Sequence, residues 1–421
     1  MRQREGMFQQ KTEPMPTSWI NISLGFFFVV ALIGTSLRLA AFVPLPLEYA
    51  HLVHAHSHVA FQGWIYTLMM LLLVRLYLSP EQIRRGRYPL QFQLTAVVLC
   101  GVLVAFSLQG YGLYSILFST LFQLLNYWFI FSFFKHTKTG GSPNPQTLSL
   151  LFIKTGLWAG LLSTLLPFGI GILSAKGLAE TEIYHSFVYT FLHLQYNGWF
   201  LFVALGLFYK FLEINAIPYS RQYGRTFFWL FALALLPAIG LSLLGMSFWS
   251  FIFLPAMLAA VLQGLGLLFF LLSLSRKLLR VIGQKGGWFQ LYLLIFLLSF
   301  LLKVVLQSFS VLPFFREYVF SNKLLILAYL HLSFIGFLSF LLLALLVDFK
   351  WLPLNRLSKA GSVLLPAGFV GSELLLLLGG TGLHYNHLAL AGWSAAMALG
   401  ILLLLLGGLF EKRIGFRGME L

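Results

Sequence analysis

The sequence predicts an all-α integral membrane protein, in which twelve transmembrane helices form three repeats of four and both termini are cytoplasmic. Three observations lead to this prediction: the composition, the number of long apolar segments and the distribution of positive charge. Of the 421 residues, 59% are hydrophobic and only 10% are charged. A soluble domain with this balance would expose far too much apolar surface, so we expect the chain to be surrounded by a lipid bilayer.

Twelve apolar segments are long enough to cross the hydrocarbon core of a bilayer, which takes roughly 20 helical residues. The segments lie near residues 18–42, 54–78, 89–109, 112–134, 148–173, 184–209, 226–245, 248–274, 288–312, 324–348, 360–380 and 385–410. We expect the short connections at Gly110–Tyr111 and Gly245–Ser247 to be either true breaks or kinks within longer helices. The whole chain, 1–421, is predicted to be one transmembrane domain with cytoplasmic tails at 1–17 and 411–421.

The 28 Lys and Arg residues test the helix count independently. With the N-terminus inside, 21 of them fall in the tails and inner loops, four lie within helices, and only Lys176, Arg316 and Lys323 fall in outer loops. This bias follows the positive-inside rule, and a missed or extra helix would scramble it. Basic inner loops also explain the net charge of +16, so we expect no nucleic-acid partner. Together with the lack of a targeting segment, the bias predicts a bacterial inner membrane.

A short pattern of His, four residues, Gly and an aromatic residue recurs along the chain. The four copies are His58-Val-Ala-Phe-Gln-Gly63-Trp64, His193-Leu-Gln-Tyr-Asn-Gly198-Trp199, His331-Leu-Ser-Phe-Ile-Gly336-Phe337 and His387-Leu-Ala-Leu-Ala-Gly392-Trp393. The first three histidines are 135 and 138 residues apart, or four helices each time, which indicates a threefold internal repeat. The fourth copy breaks the period and is interpreted as a late addition or a chance match.

The predicted topology places all four histidines in the outer half of the membrane. Ionisable groups inside a bilayer are expensive and are functional candidates by default. A neutral imidazole is the commonest metal ligand, and two of them from facing helices can hold a haem iron. The glycine one turn later would let a flat macrocycle or a neighbouring helix approach closely. The alternative is that the histidines bond to backbone and that the Gly–aromatic pairs only serve helix packing.

Further candidates lie around this pattern. His51, His54 and His58 share one helical stripe, and His56 points roughly the other way. His185 and Tyr189 precede His193 at four-residue steps on one face. This spacing is typical of a metal ligand with a redox-active or proton-donating phenol beside it, or simply of residues at the outer interface. The single cysteine, Cys100, excludes an intrachain disulfide and a thiolate cluster.

Three charged residues fall within the outer half of predicted helices. Arg38 needs an anion at that depth, for which a haem propionate is a good candidate, unless its side chain reaches up to the outer surface. Lys303 and Glu373 are expected either to pair with each other or to serve a proton path. The second of these readings suits a transporter or channel for protons or a divalent metal. Broken helices at Pro167, Pro237 or Pro255 would favour that class.

The twelve helices, Arg38 after a glycine, and the histidines on helices 2, 6 and 10 together resemble the haem-copper oxidase subunit I superfamily, which includes the nitric oxide reductases. The resemblance implies respiratory electron transfer to oxygen or a nitrogen oxide, with cytochrome c or quinol as donor and other respiratory subunits as partners. It implies a low-spin haem, expected to be of b type, with His58 and His331 as its axial pair, Arg38 near its edge and His54 close by. A copper ligand would fall on His185, with Tyr189 as the catalytic phenol, or on His193.

The chain also departs from that superfamily. The adjacent histidine pair of helix 7 is missing, and the His-x-His of helix 10 is replaced by Tyr329-Leu-His331. We consider His384 and His387 as substitute metal ligands. The segment from His54 to Trp64 resembles in addition the NnrS family, whose haem- and copper-containing members are linked to nitric oxide stress. A third possibility is an assembly or interaction subunit whose ancestral metal site has decayed.

Overall fold

The computed structural model describes residues 15–138, 147–246 and 250–417. This part of the chain is mostly helical, with short turns and loops between the helices. It contains no β-strand, only an isolated bridge between Tyr219 and Leu274. In lipid, each backbone N–H and C=O must find its partner within the same segment, and a helix achieves this. The predicted all-α class is therefore confirmed.

The chain divides into two units, and the first holds residues 1–145 and 401–421. It contains the first predicted four-helix repeat. Its helices are α1 (Ile20–Leu39), α2 (Tyr49–His58), π1 (Val59–Tyr66), α3 (Thr67–Tyr77), α4 (Pro80–Arg85), α5 (Tyr88–Gln109), α6 (Leu113–Lys138) and the end of α20. α2, π1 and α3 follow one another without a break and make a single long helix.

The second unit, residues 146–400, contains the second and third predicted repeats. Its first half consists of α7 (Leu148–Ser163), α8 (Leu166–Ala175), α9 (Glu182–His193), π2 (Leu194–Phe200), α10 (Leu201–Ile214), α11 (Arg221–Ala234), α12 (Ile239–Leu243) and α13 (Phe253–Ser273). Its second half consists of α14 (Arg276–Gly283), α15 (Gly287–Phe309), α16 (Pro313–Phe320), α17 (Lys323–His331), π3 (Leu332–Ser339), α18 (Phe340–Asp348), α19 (Arg356–Gly380) and the start of α20 (His387–Arg417).

Eleven helical segments of the described residues are long and apolar enough to cross a membrane. One of them, Leu148–Ala175, consists of α7 and α8 with a turn at residues 164–165, just before Pro167. Each of the eleven overlaps one predicted segment. The one predicted segment without such a span is the seventh, 226–245, which folds as two shorter helices, α11 and α12, with Pro237 between them. Proline lacks the backbone N–H and clashes with the preceding turn, so neither piece reaches the length of a span. The start of the eighth predicted segment, residue 248, lies outside the described residues.

The connection at Gly110–Tyr111 is a true break between α5 and α6. Gly110 has φ +57°, a conformation that glycine adopts without the cost that a Cβ imposes. A Cβ at this position would also lie 2.6 Å from Cδ2 of His51. The glycine therefore permits both the turn and the close approach of the His51 ring.

Helices of the second unit pack closely because small residues let their backbones approach. A Cβ on Gly156 of α7 would lie 2.9 Å from the carbonyl oxygen of Trp199, and one on Gly206 of α10 would lie 2.9 Å from that of Ser149. Lipid tails are as apolar as leucine, so van der Waals packing of this kind drives helix association in membranes. Close packing of α7 on π2 and α10 thus positions the segment that carries His193.

Candidate functional site

A π-helix directly follows each of the three periodic histidines. His58, His193 and His331 end α2, α9 and α17, and π1, π2 and π3 begin at the next residue. π-helices make up well under 1% of residues in proteins and occur frequently at functional sites. The backbone thus repeats with the same period as the sequence pattern. The fourth copy lacks this feature, since α20 runs as an α-helix from His387 onward.

The glycine of each repeated segment lies against a neighbouring helix of its own unit. A Cβ on Gly63 would lie 3.0 Å from Cβ of Phe26, and one on Gly198 would lie 2.7 Å from Cβ of Ala159. A Cβ on Gly336 would collide with the hydroxyl of Ser299. These neighbours belong to α1, α7 and α15, the first helix of each repeat. The expectation that glycine admits a neighbouring helix is therefore confirmed at these three positions.

The aromatic residue after each glycine packs on the same first helix. Trp64 stacks on Phe27 with ring centroids 4.2 Å apart. Phe337 stacks on Phe296 at 5.3 Å. In the middle copy, the Trp199 ring lies over Gly160. The glycine and the aromatic residue thus dock the π-helix on its neighbour, and the histidine one turn earlier is held by this scaffold.

In the first unit, His58 and His54 face α5 and the connection that follows it. The His58 ring stacks on Phe106 at 4.1 Å, and its Nε2 lies 3.3 Å from the Tyr111 hydroxyl. His54 meets Tyr111 edge to face at 4.6 Å. The Nδ1 of His58 lies 3.5 Å from the side-chain amide nitrogen of Gln62.

The remaining groups of this helix follow the predicted stripe. His51 lies on the same side as His54 and His58, 3.8 Å from Glu48. His56 points the other way, towards α1, with its Nδ1 3.0 Å from the carbonyl oxygen of Val30. Arg38 lies half-buried in the last turn of α1.

In the second unit, His193 is 2% exposed and has partners at both ring nitrogens. Its Nε2 lies 2.9 Å from the carbonyl oxygen of Leu235, which follows the end of α11. The amide of Asn197 and the hydroxyl of Ser242 donate to Nδ1 at 3.2 and 3.3 Å. A carbonyl can only accept, so His193 is the neutral tautomer with its proton on Nε2.

Lys303 lies at the centre of a buried polar network beside His193. The lysine is 2% exposed, and its ammonium donates to Asn197 Oδ1, to Gln307 Oε1 at 3.1 Å and to the Tyr329 hydroxyl at 3.0 Å. Tyr329 in turn donates to Gln307 at 2.8 Å. An ammonium has three N–H donors, and this arrangement provides three acceptors. The network draws residues from three predicted helices, the sixth, ninth and tenth.

The expectation that Lys303 pairs with Glu373 is wrong. Lys303 instead bonds to the neutral acceptors just described. Glu373, on α19, faces His331: its Oε1 lies 3.6 Å from Nδ1 of the imidazole. Side chains are mostly buried at this pair, with 23% of His331 and 13% of Glu373 exposed. An imidazole whose Nδ1 faces a carboxylate is the usual arrangement of a metal-binding histidine, because the carboxylate fixes the tautomer and the ring orientation.

A small cavity of about 10 Å³ adjoins the lysine network, near the lower limit for one buried water molecule. It is lined by His193, Asn197, Lys303, Gln307 and Gln263, together with apolar side chains. Gln263 is 7% exposed, and its Oε1 has no hydrogen-bond partner among the described residues. The cavity therefore offers a hydrogen-bond acceptor, Gln263 Oε1, to a bound water.

The four-residue steps on α9 lead from an exposed to a buried environment. His185 is half-buried and stacks on Tyr189 with centroids 6.4 Å apart, whereas Tyr189 is 40% exposed. The hydrogen bonds of His193 go to other residues, as described above. His384 and His387 are both exposed near the start of α20, and the His387 ring meets Tyr385 at 4.3 Å.

A metal centre of three or more His, Cys, Asp or Glu side chains is not found in the described part of the chain. The candidate ligands His185, His193, His384 and His387 are accordingly not gathered into such a centre. Two axial histidines can hold a haem iron without one. The described residues therefore provide no copper site with three protein ligands, whereas the finding does not test a haem held by two histidines.

The amide residues of the site were not singled out from the sequence. Gln62 and Asn197 both occupy the position four residues after the histidine, and both approach its Nδ1. The third copy has Ile335 there, and Glu373 takes the place beside Nδ1. The repeated pattern does contain a sign of these residues, because an amide side chain immediately precedes the glycine in the first two copies. No protein-family model matches the chain, and no curated protein matches it either.

Proposed function

We propose that the protein is an integral membrane haem protein that transfers electrons to oxygen or a nitrogen oxide. The carrying observation is the His331–Glu373 pair, which adjoins a π-helix inside an apolar helix. It provides a histidine with the carboxylate partner that metal ligands use. By the threefold repeat, His58 is its counterpart in the first unit and the second axial candidate.

Side chains near these histidines fit that chemistry. Gln62 has a buried Oε1 without a hydrogen-bond partner among the described residues. A half-turn of its amide exchanges nitrogen and oxygen. Oε1 then accepts a hydrogen bond from the Nδ1–H of His58, which leaves Nε2 to coordinate. Arg38 would bind a propionate as a charge-assisted pair. A haem held in this way supplies one-electron transfer, while Gln62 and Glu373 orient the two imidazoles.

The finer topology forms part of the same proposal. We infer twelve crossings, with α11 and α12 together making a broken seventh crossing, and both termini on the inner side of a bacterial inner membrane. The distribution of Lys and Arg supports this arrangement. Cytochrome c or quinol is the proposed electron donor, and the other respiratory subunits are proposed partners. The NnrS-like reading shares the haem and differs in assigning it to nitric oxide stress.

The test is a dithionite-reduced minus oxidised spectrum of the purified protein, expressed with an adequate haem supply. We expect a b-type spectrum that is lost in His331→Ala and in His58→Ala and retained in His193→Gln. Added carbon monoxide would shift the spectrum only if one coordination position is open to ligands. Purified wild-type protein without a Soret band would overturn the proposal.

A second function, proton or cation movement, is favoured by the Lys303 network. A buried ionisable residue beside a broken membrane helix is the arrangement that transporters use for coupling ions. Haem-free protein in proteoliposomes with a pH-sensitive dye inside provides the assay. Proton flux that is abolished by Lys303→Met and unchanged by Lys323→Met, at the first residue of α17, would support this function. Absence of flux in the wild type would exclude it.

A further inference from the structure

A large cavity of about 750 Å³ lies in the first unit, far along the chain from the histidines of α2. It is formed where α3 gives way to α4 and α5 and where α6 ends. Its lining includes Glu81, Arg85, Arg87, Trp128, Lys135 and His136. Pockets that bind small ligands typically measure about 300–1,000 Å³, so this cavity has the volume of a ligand site.

Hydrogen bonds hold the walls of the cavity in place. Gln82 caps α4 and donates from its side chain to the carbonyl oxygen of His136 at 2.9 Å. The Nδ1 of His136 lies 3.1 Å from the hydroxyl of Tyr88. Gln91 donates to the carbonyl oxygen of Gly86 at 2.7 Å, and both Tyr88 and Gln91 are fully buried. These hydrogen bonds therefore hold α4, α5 and α6 together around the cavity.

Positive charge is in excess in this cavity. Three cations, Arg85, Arg87 and Lys135, line the cavity, against one lining acid, Glu81, which pairs with Arg85 at 2.5 Å. Arg87 is exposed, and its side chain makes no hydrogen bond or ion pair with the described residues. Its φ of +52° is unusual for a residue other than glycine. Such strain persists only where the surroundings fix it, and it is concentrated at ligand sites.

We propose that this cavity binds the phosphate of an anionic ligand, with Arg87 and Lys135 as its charged contacts. A bilayer boundary is expected here, since the apolar helices α3, α5 and α6 all begin or end at the cavity. Trp128 is typical of such a boundary. Basic pockets between membrane helices bind anionic lipid headgroups, and a soluble phosphate compound offers the same chemistry. The proposal is independent of the haem assignment.

Two probes separate the two sources of phosphate. Native mass spectrometry of the full-length protein with phosphatidylglycerol or phosphatidylcholine measures lipid retention. Thermal unfolding in lipid-free detergent with inorganic pyrophosphate measures binding of a soluble phosphate. The test variant is Arg87→Gly, which removes the cation and relieves the strained φ, so that the fold is kept. Lys350→Gly is the matched control, because Lys350 also has a positive φ, of +56°, and lies outside the cavity.

We expect the affinity of Arg87→Gly for phosphatidylglycerol to be about fivefold lower than that of the wild type. This factor corresponds to the contribution of one cation near a membrane surface. Adding Lys135→Gln should weaken retention by a similar factor again, and Lys350→Gly should retain the lipid normally. A pyrophosphate-induced rise in Tm that depends on Arg87, without selective lipid retention, would support the phosphate site with a soluble ligand. Equal behaviour of Arg87→Gly and Lys350→Gly with both probes would overturn the proposal.

Discussion

The segments around His193 and His331 share a backbone and differ in their polar partners. Each histidine ends an α-helix, precedes a π-helix and is followed by a glycine that admits the first helix of its repeat. At His193, an amide donates to Nδ1 and the proton sits on Nε2. At His331, a carboxylate faces Nδ1, which favours a proton on that nitrogen. The two copies therefore present opposite partners to Nδ1: a hydrogen-bond donor at His193 and a carboxylate at His331.

The two copies thus share the backbone geometry and the glycine contact, and they differ in the hydrogen-bonding partner of the histidine. A single position, four residues after the histidine, separates the two cases: it is Asn197 in one copy and Ile335 in the other. The asparagine joins His193 to Lys303, and the isoleucine leaves the Nδ1 of His331 to a carboxylate from another helix. Hydrogen bonding of this kind selects which ring nitrogen can coordinate a metal. The scaffold is thus compatible with a proton network in one copy and a ligand in the other.

The largest predicted effect concerns the shared scaffold. Gly198→Leu and Gly336→Leu should each lower the free energy of unfolding by about 3 kcal/mol or more, because overpacking a close helix contact forces the backbone apart. Gly392→Leu, in the copy without a π-helix, should be nearly neutral, since nothing lies within 4 Å of a Cβ there. Thermal unfolding in detergent measures all three variants. A cost at Gly392 equal to that at Gly336 would mean that the scaffold is not specific to the repeat.

The next prediction addresses the carboxylate that distinguishes the His331 copy. Glu373→Gln should weaken haem retention about 10- to 100-fold, the usual effect of losing the partner of a ligating histidine. Haem retention is followed by the Soret band during transfer to apomyoglobin. The corresponding change beside His193, Ser242→Ala, should leave retention unaltered. Equal haem loss in the two variants would remove the distinction between the two histidines.

The repeat and the helices that carry the site could be predicted from the sequence, because hydrophobic length and a regular His–Gly spacing are local properties. The π-helices could not be, since the change from i−4 to i−5 hydrogen bonding leaves no mark on an apolar run. The partners of Lys303 could not be predicted for another reason. Gln307 lies one turn away, but Asn197 and Tyr329 lie on other helices, and only tertiary packing brings them to the ammonium.

The broken seventh segment is an intermediate case. Pro237 was visible as a potential break, and the structure places it between α11 and α12. That the break would leave the Leu235 carbonyl beside His193 depends on how α9 and α11 pack, which hydropathy does not determine. The expected ion pair between Lys303 and Glu373 is wrong for the same reason. The sequence predicts the depth of each residue in the membrane, but not the direction in which its side chain points.

A smaller effect is expected from the network itself. The hydrogen bond from Lys303 to Asn197 should show a coupling of about 2 kcal/mol in a double-mutant cycle of Lys303→Met and Asn197→Leu, since bonds to charged groups contribute roughly 1.5–3 kcal/mol. Unfolding in detergent supplies the four free energies of the cycle. The cycle of Lys303→Met with Glu373→Gln should show no coupling beyond experimental error, because the structure does not pair these two residues. A coupling there would restore the ion pair.

The comparison extends to the C-terminal ends of α10 and α18, the helices that continue these two copies, where an acid occurs in each. Asp348, after the His331 copy, forms an ion pair with Lys285 and accepts from Asn215 at 3.1 Å. Glu213, after the His193 copy, accepts from Ser149 Oγ at 2.7 Å and from the Tyr219 hydroxyl at 3.3 Å, and Lys210 on the same helix interacts with it electrostatically. Glu213 therefore has two hydroxyl partners in addition to a nearby charge, whereas Asp348 is held by an ion pair and an amide.

The smallest predicted effect follows from the Tyr219 hydroxyl. Burial, together with the nearby Glu213 carboxylate, raises the pKa of Tyr219 to about 12, against a value near 10 in the unfolded chain. The contribution of Tyr219 to stability is thus complete below pH 10 and is lost as the pH rises through 12, because the unfolded state releases its proton first. Tyr219→Phe should flatten the fall in Tm between pH 10 and 12, and Tyr223→Phe, exposed on α11, should not. An unchanged alkaline profile in Tyr219→Phe would mean that the Glu213–Tyr219 contact does not stabilise the C-terminal end of α10.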